Sequence, residues 1–267
     1  MAKEIRILFD PLVTETSQRL YGLNALVELV YRATPEVELQ GRDALKQLAQ
    51  QENWDYEDYR TEDQFLDVKF RYWLPNLAAY SIIVLLSSIV ETQLVAYARR
   101  VGQREKSAFD LNDLRGSVLD KTAVYVKKVS GAELTKNPRW KTLRDLQDLR
   151  DIIVHRAGKP GDDKRQQLEL ICKSYPGISL EANPYSIRKD IELGITVHSC
   201  RYFLGEVEQF FKDLLRVADS PFRGGLWPNV QSGFPKALEC FVTEVHSITQ
   251  PAAAGDITLH NLAAAQN

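Results

Sequence analysis

The sequence predicts an all-α protein: an up-and-down helical bundle with an N-terminal helical extension and a loose C-terminal tail. Three observations carry this. Apolar residues recur at three- and four-residue spacing along most of the chain. Helix stop signals, Thr34-Pro35, Ser130-Gly131 and Gly158-Lys159-Pro160, fall between those stretches. Only Ile178-Ser179-Leu180 alternates in the manner of a short strand or hairpin arm. The 267 residues, 44% of them hydrophobic, suffice for one good-sized core or a core with a small appendage. The expected division is a helical extension over 1–62, the bundle over 63–219, and an irregular segment and tail over 220–267.

Pro11 to Arg32 carries a helical stripe of Leu12, Leu20, Leu23, Leu26, Val27 and Val30, and Thr34-Pro35 is expected to end it. Gly41 to Gln51 forms a second short helix. Asn53 to Asp63, polar, acidic and aromatic, reads as a loop. Glu62 to Gly102 holds a long apolar helix with an interruption near Pro75. Its segment Leu77 to Ala98 is strongly apolar and about long enough to span a bilayer. Glu91 and Gln93 interrupt it, so the simpler reading is the central helix of a soluble bundle. Asn112 to Val129 is amphipathic, with Leu114, Val118, Ala123, Val124 and Val126, and Asn112 or Asp110 caps its start. Asn137-Pro138 opens the next helix. Asp190 to Ala218 predicts a further helix ending in aromatic residues.

Net charge is −2 and 26% of residues are charged, which argues against a strongly basic wrapper of nucleic acid. A local basic patch remains compatible with RNA contact. Cys172, Cys200 and Cys240 stand far apart, with no CxxC pair and no zinc spacing. An odd thiol count without a signal peptide predicts a reducing, cytoplasmic setting and no membrane.

The most informative stretch is Arg150-Asp151-Ile152-Ile153-Val154-His155. A histidine can move protons near neutral pH, and an arginine can hold the oxygens of a phosphate as charge builds on them. At 100° per residue from Trp140, the residues Trp140, Leu143, Leu146, Ile153 and Val154 define an apolar arc. Arg150 falls at about 280°, in the middle of that arc, whereas Asp151 and His155 lie on the polar side. A buried arginine needs a partner. Arg150 is therefore either a structural ion, a stem packed on the surface, or a clamp in a crevice or interface. Asp151 can reach His155 along the helix, an ordinary pair worth ~0.5 kcal/mol or a device that fixes the imidazole tautomer. Glu91, in the most apolar helix, needs a donor. That donor is Arg150, a backbone amide or water.

These residues resemble the HEPN superfamily, helical proteins whose ribonuclease members carry an Arg-x4–6-His motif with a polar residue directly after the arginine. The block Leu143-Arg-Asp-Leu-Gln-Asp-Leu-Arg-Asp-Ile-Ile-Val-His-Arg-Ala-Gly158 is similar to the motif helix of that family. The stretch Ile83 to Leu94, with Glu91, is similar to its preceding core helix. The resemblance covers about residues 65 to 218. It implies a metal-independent endoribonuclease without cofactor. It also implies a homodimer in which the motifs of two copies line one cleft. By this resemblance His155 is the general acid or base, Arg150 positions the phosphate, Asp151 orients one of the two, and Glu91 supports them. The ribose 2′-hydroxyl attacks and leaves a 2′,3′-cyclic phosphate, which selects RNA over DNA. Arg156 and Lys159 are the expected substrate-binding cations, and Arg99-Arg100 and Lys127-Lys128 are further basic pairs. Many such proteins act as toxins or phage-defence effectors, some with an antitoxin partner. One toxin subgroup has a tyrosine two residues after the histidine, where this chain has Ala157. Other members keep the fold as a non-catalytic module for dimerisation or for binding a partner or nucleic acid. Elsewhere, His198 and Cys200 read as core packing, and His246 and His260 fall in the poorly patterned end.

Overall fold

The computed structural model describes residues 11–183 and 190–218, and the protein is predominantly helical. The expected tail, with Cys240, His246 and His260, lies outside the described residues. The chain divides into two units, Met1–Asp219 and Ser220–Asn267, and the described residues all belong to the first. The described helices are α1 (Pro11–Gln51), α2 (Tyr56–Val68), α3 (Leu74–Arg104), α4 (Val118–Ser130), α5 (Trp140–Arg156), α6 (Asp162–Ser174) and α7 (Val197–Ala218). Between α6 and α7 the strands β1 (Ile178–Ala182) and β2 (Ile191–Ile195) pair antiparallel.

α3 is the axis of the bundle. It packs against α1, α4, α5 and α7. Its inner face buries Ala79, Ile82, Ile83, Leu86, Val90, Leu94 and Ala98. α1 joins the same core through Leu20, Leu23 and Val27, and its Thr16 donates to Gln93 at 2.9 Å. Arg139, at the start of α5, donates to Asp213 at 2.9 Å and so ties that end to α7, where Trp140 meets Phe210.

Five boundaries differ from the sequence reading. Pro35 does not end α1, which runs through it for 41 residues. Proline carries a helical φ already, so only its missing N–H and its clash with the preceding turn must be absorbed. Thr34 bonds back to Val30 at 2.7 Å, and beyond it Arg42 binds Glu38, Asp63 and Asp67, which ties α1 to α2. The expected loop at 53–63 is mostly α2. Asp55 caps it by accepting from the Asp58 amide at 2.9 Å, and the acidic first turn suits the positive end of the helix dipole. The interruption near Pro75 is a π turn over Lys69–Trp73, where Leu74 donates five residues back to Lys69. This wider turn accommodates the proline ring without breaking the helical path. Asp110 caps a separate 3-10 turn, Leu111–Asp113, and Ser117 is the cap of α4. Finally, β2 replaces the first turn of the helix expected from Asp190. Ile191, Leu193 and Ile195 point the same way in register with Ala182, Leu180 and Ile178. Pairing with β1 thus buries Leu193 and Ile195, which a helix there would spread around its circumference.

The unbroken path Tyr56–Arg104 is apolar and long enough to cross a membrane by length and composition, with a third of its apolar window buried. Part of the exposed remainder is an ordered stripe on α3. Leu77 (61% exposed), Ser81, Leu85 (46%), Ser88 and Thr92 fall along one side of the helix.

Candidate functional site

α5 buries Trp140, Thr142, Leu143, Asp145, Leu146, Leu149 and Ile152. The buried arc therefore centres near Leu149, about 100° from Arg150. Arg150 lies at the rim of the core, its side chain 30% exposed, rather than in the middle of the apolar face. Leu149 and Ile152, outside the apolar set Trp140, Leu143, Leu146, Ile153 and Val154, shift the buried arc away from Arg150. Val154 is 48% exposed and points outward beside the motif.

Asp151 belongs to Arg150. The guanidinium donates to its carboxylate at 2.8 Å. That bond, with the charges of Glu91 and Asp151, raises the Arg150 pKa further, against the opposing effect of burial. Glu91 is half-buried and acts on Arg150 through its charge. The direct Glu91–Arg150 pair considered from sequence is not what holds the arginine. His155 is exposed and has no hydrogen-bond or ion-pair partner among the described residues. Its ring is open to solvent or to a ligand, and Asp151 does not orient it.

The two expected substrate cations are engaged elsewhere. Arg156 makes a forked pair with Asp163 at 2.7 and 2.9 Å, which closes the α5–α6 turn and holds the Asp163 carboxyl below its usual range. Lys159 binds Asp190 at 2.8 Å and lies 3.9 Å from Glu192. Of the other basic residues, Lys127 pairs with Glu133 at 3.0 Å and Lys128 lies over the Phe109 ring, whereas Arg99 is exposed.

The end of α5 has a defined geometry. Ala157 and Gly158 both take left-handed conformations, with φ of 50° and 79°. Both amides turn back to the Ile152 carbonyl. A side chain at Gly158 would overlap the Tyr80 ring, so the glycine is required twice, by its φ and by this approach.

Sequence reasoning missed the buried carboxylate of α5. Asp145 is almost fully buried and accepts from Lys141 at 2.5 Å and from the Tyr175 hydroxyl at 2.6 Å. Its neighbours Leu143 and Leu146 gave the only available signal, since an acid on that face demands partners. Cys200 is fully buried against the Ala79 carbonyl, and burial pushes its thiol up to about 12, which makes it a packing residue and not a nucleophile. His198 is exposed on the first turn of α7, contrary to the core packing expected for it. Among the described residues no group of three histidine, cysteine, aspartate or glutamate side chains is placed to hold a metal ion. No protein-family model, no curated protein and no solved structure gives a significant match to the chain.

Proposed function

We propose that the protein is a metal-independent endoribonuclease of HEPN type. The observation that carries this reading is the division of labour on the last two turns of α5. A guanidinium is held at the core rim by Asp151, while a histidine one and a half turns further on is exposed and free of partners. A phosphate needs a fixed cation, and proton transfer needs an imidazole not already committed to the protein. In the proposed reaction His155 takes the proton of a ribose 2′-hydroxyl, whose oxygen attacks the adjacent phosphorus. The bond to the 5′-oxygen breaks, that oxygen leaves with a proton, and a 2′,3′-cyclic phosphate remains. Arg150 stabilises the charge on the non-bridging oxygens.

A single motif histidine serves one side of an in-line displacement, so a homodimer bringing two motifs together is part of the proposal. Leu77 and Leu85 on the outer side of α3 and Val154 of α5 are exposed apolar side chains available for that contact. A cytoplasmic toxin or phage-defence effector, with or without an antitoxin, fits such an activity.

The test is cleavage of a panel of labelled RNAs in EDTA. The wild type is expected to cut and to leave 2′,3′-cyclic ends. His155→Ala is expected to lose at least 100-fold in rate, in line with the loss of a general acid or base, with an unchanged circular dichroism spectrum. RNA left intact by the wild type across the panel sinks the enzyme reading. The second reading, a non-catalytic module for dimerisation or for binding a partner or nucleic acid, is favoured by one observation. Arg156 and Lys159 already neutralise carboxylates of their own chain. It predicts that partner binding survives His155→Ala.

A further inference from the structure

We infer that Tyr80 is a positioning residue for His155, acting through β2 on the turn that ends α5. The His155 ring has no partner of its own, so its position is set by its backbone. That backbone is the last turn of a helix, where carbonyls lack intrahelical donors and fraying begins. The structure ties this turn down. The Leu193 amide donates to the Gly158 carbonyl at 2.9 Å. The Leu193 carbonyl in turn accepts from the Tyr80 hydroxyl. The Tyr80 ring lies against Gly158, in the space a side chain there would fill. One residue of β2 thus joins the central helix α3 to the third residue after His155.

Flanking groups of the same ribbon reinforce the joint. Asp190 and Glu192 hold Lys159, and Glu192 also accepts from Tyr72 at 2.8 Å and from Asn183 at 3.2 Å. Leu193 itself is fully buried, so the link is anchored in the core and not at the surface. Arg150 is held differently, by Asp151 and by the packing of Leu146 and Leu149. Loosening the Tyr80 joint is therefore expected to free the histidine while leaving the arginine in place. That selectivity separates a positioning role from general destabilisation.

The kinetic arm of the test rests on the ribonuclease reading, and the exchange arm does not. Tyr80→Phe keeps the ring on Gly158 and deletes only the hydroxyl bond to Leu193. Tyr125→Phe is the control, because it deletes a similar hydroxyl bond, to the Phe109 carbonyl, far from the motif in sequence. By hydrogen exchange, amides of residues 155–159 in Tyr80→Phe are expected to exchange about tenfold faster, with residues 82–94 and 146–150 unchanged. In RNA cleavage, kcat is expected to fall about tenfold with KM within twofold of wild type. Tyr125→Phe should show neither effect. The inference is overturned if residues 155–159 exchange at the wild-type rate in Tyr80→Phe, or if Tyr125→Phe accelerates them equally. A wild type that cuts no RNA defeats the ribonuclease reading alone, since the exchange result still decides the role of Tyr80.

Discussion

At the scale of single residues, the arginine and the histidine of the motif are held by opposite strategies. Arg150 has a charged partner one residue away, a second carboxylate acting at longer range, and a half-buried stem. His155 has only its backbone. The Asp151 bond is charge-assisted, but both side chains are partly exposed, so it is worth at most about 1 kcal/mol in stability and matters for where the guanidinium sits. Replacing Asp151 by Asn keeps the size and weakens that bond. If Arg150 must be preset for a phosphate, Asp151→Asn is expected to lower cleavage at least tenfold while leaving the melting temperature within a few degrees. An unchanged rate would mean that Arg150 finds its place without Asp151. Arg150→Lys is a harsher probe, because an ammonium cannot reproduce the planar fork that meets two oxygens at once.

At the scale of elements, the outer side of α3 asks for a cover. Leu77 and Leu85 are about half exposed or more, on the helix whose inner face forms the centre of the core. Charged substitutions there test the homodimer directly. Leu77→Glu with Leu85→Glu is expected to halve the mass seen by light scattering and to reduce cleavage without unfolding the chain. A wild type that is already monomeric at micromolar concentration would give the stripe another occupant. Much at this scale was legible in the sequence. The stripe of Leu20, Leu23 and Val27, the αL stop at Gly131 and the strand at Ile178 follow from periodicity and turn chemistry that are local. What was not legible depends on residues far away in the chain. Pro35 stays inside a helix braced by the Arg42 bonds to Asp63 and Asp67. β2 forms because β1 offers it a pairing edge. The same holds for the motif. That one helix carries both Arg150 and His155 could be read, but not the place of Arg150 at the core rim, nor the Asp163 and Asp190 that claim Arg156 and Lys159, because those depend on packing and on pairs that cross between elements.

At the scale of the whole molecule, the joints between helices contain protonated acids that the fold holds in their neutral form. Burial pushes the Cys200 thiol, packed on the Ala79 carbonyl of α3, up to about 12. Burial and the charge of Glu192 push the Tyr80 hydroxyl, bonded to β2, up to about 12. Tyr175, between α5 and α7, moves the same way through burial and its bond to Asp145. A weak acid whose pKa is raised by folding keeps its proton in the folded chain after the unfolded chain has lost it. Its contribution to stability is therefore complete below the unfolded value and is lost as pH rises toward the folded value. For Cys200 the window opens near pH 9 and for the tyrosines near pH 10, and it closes for Cys200 and Tyr80 near 12. Each such group steepens the loss by up to about 1.4 kcal/mol per pH unit. Urea unfolding under reducing conditions is expected to show stability falling from pH 9 upward, more steeply above pH 10. Cys200→Ala should be less stable than wild type at pH 7, because it leaves a cavity beside α3. Between pH 9 and 10 its stability should nevertheless fall less steeply, because one of the protons that drives the loss is gone. Parallel slopes for the two proteins over that interval would show that the Cys200 thiol is not held neutral by the packing of α7 on α3.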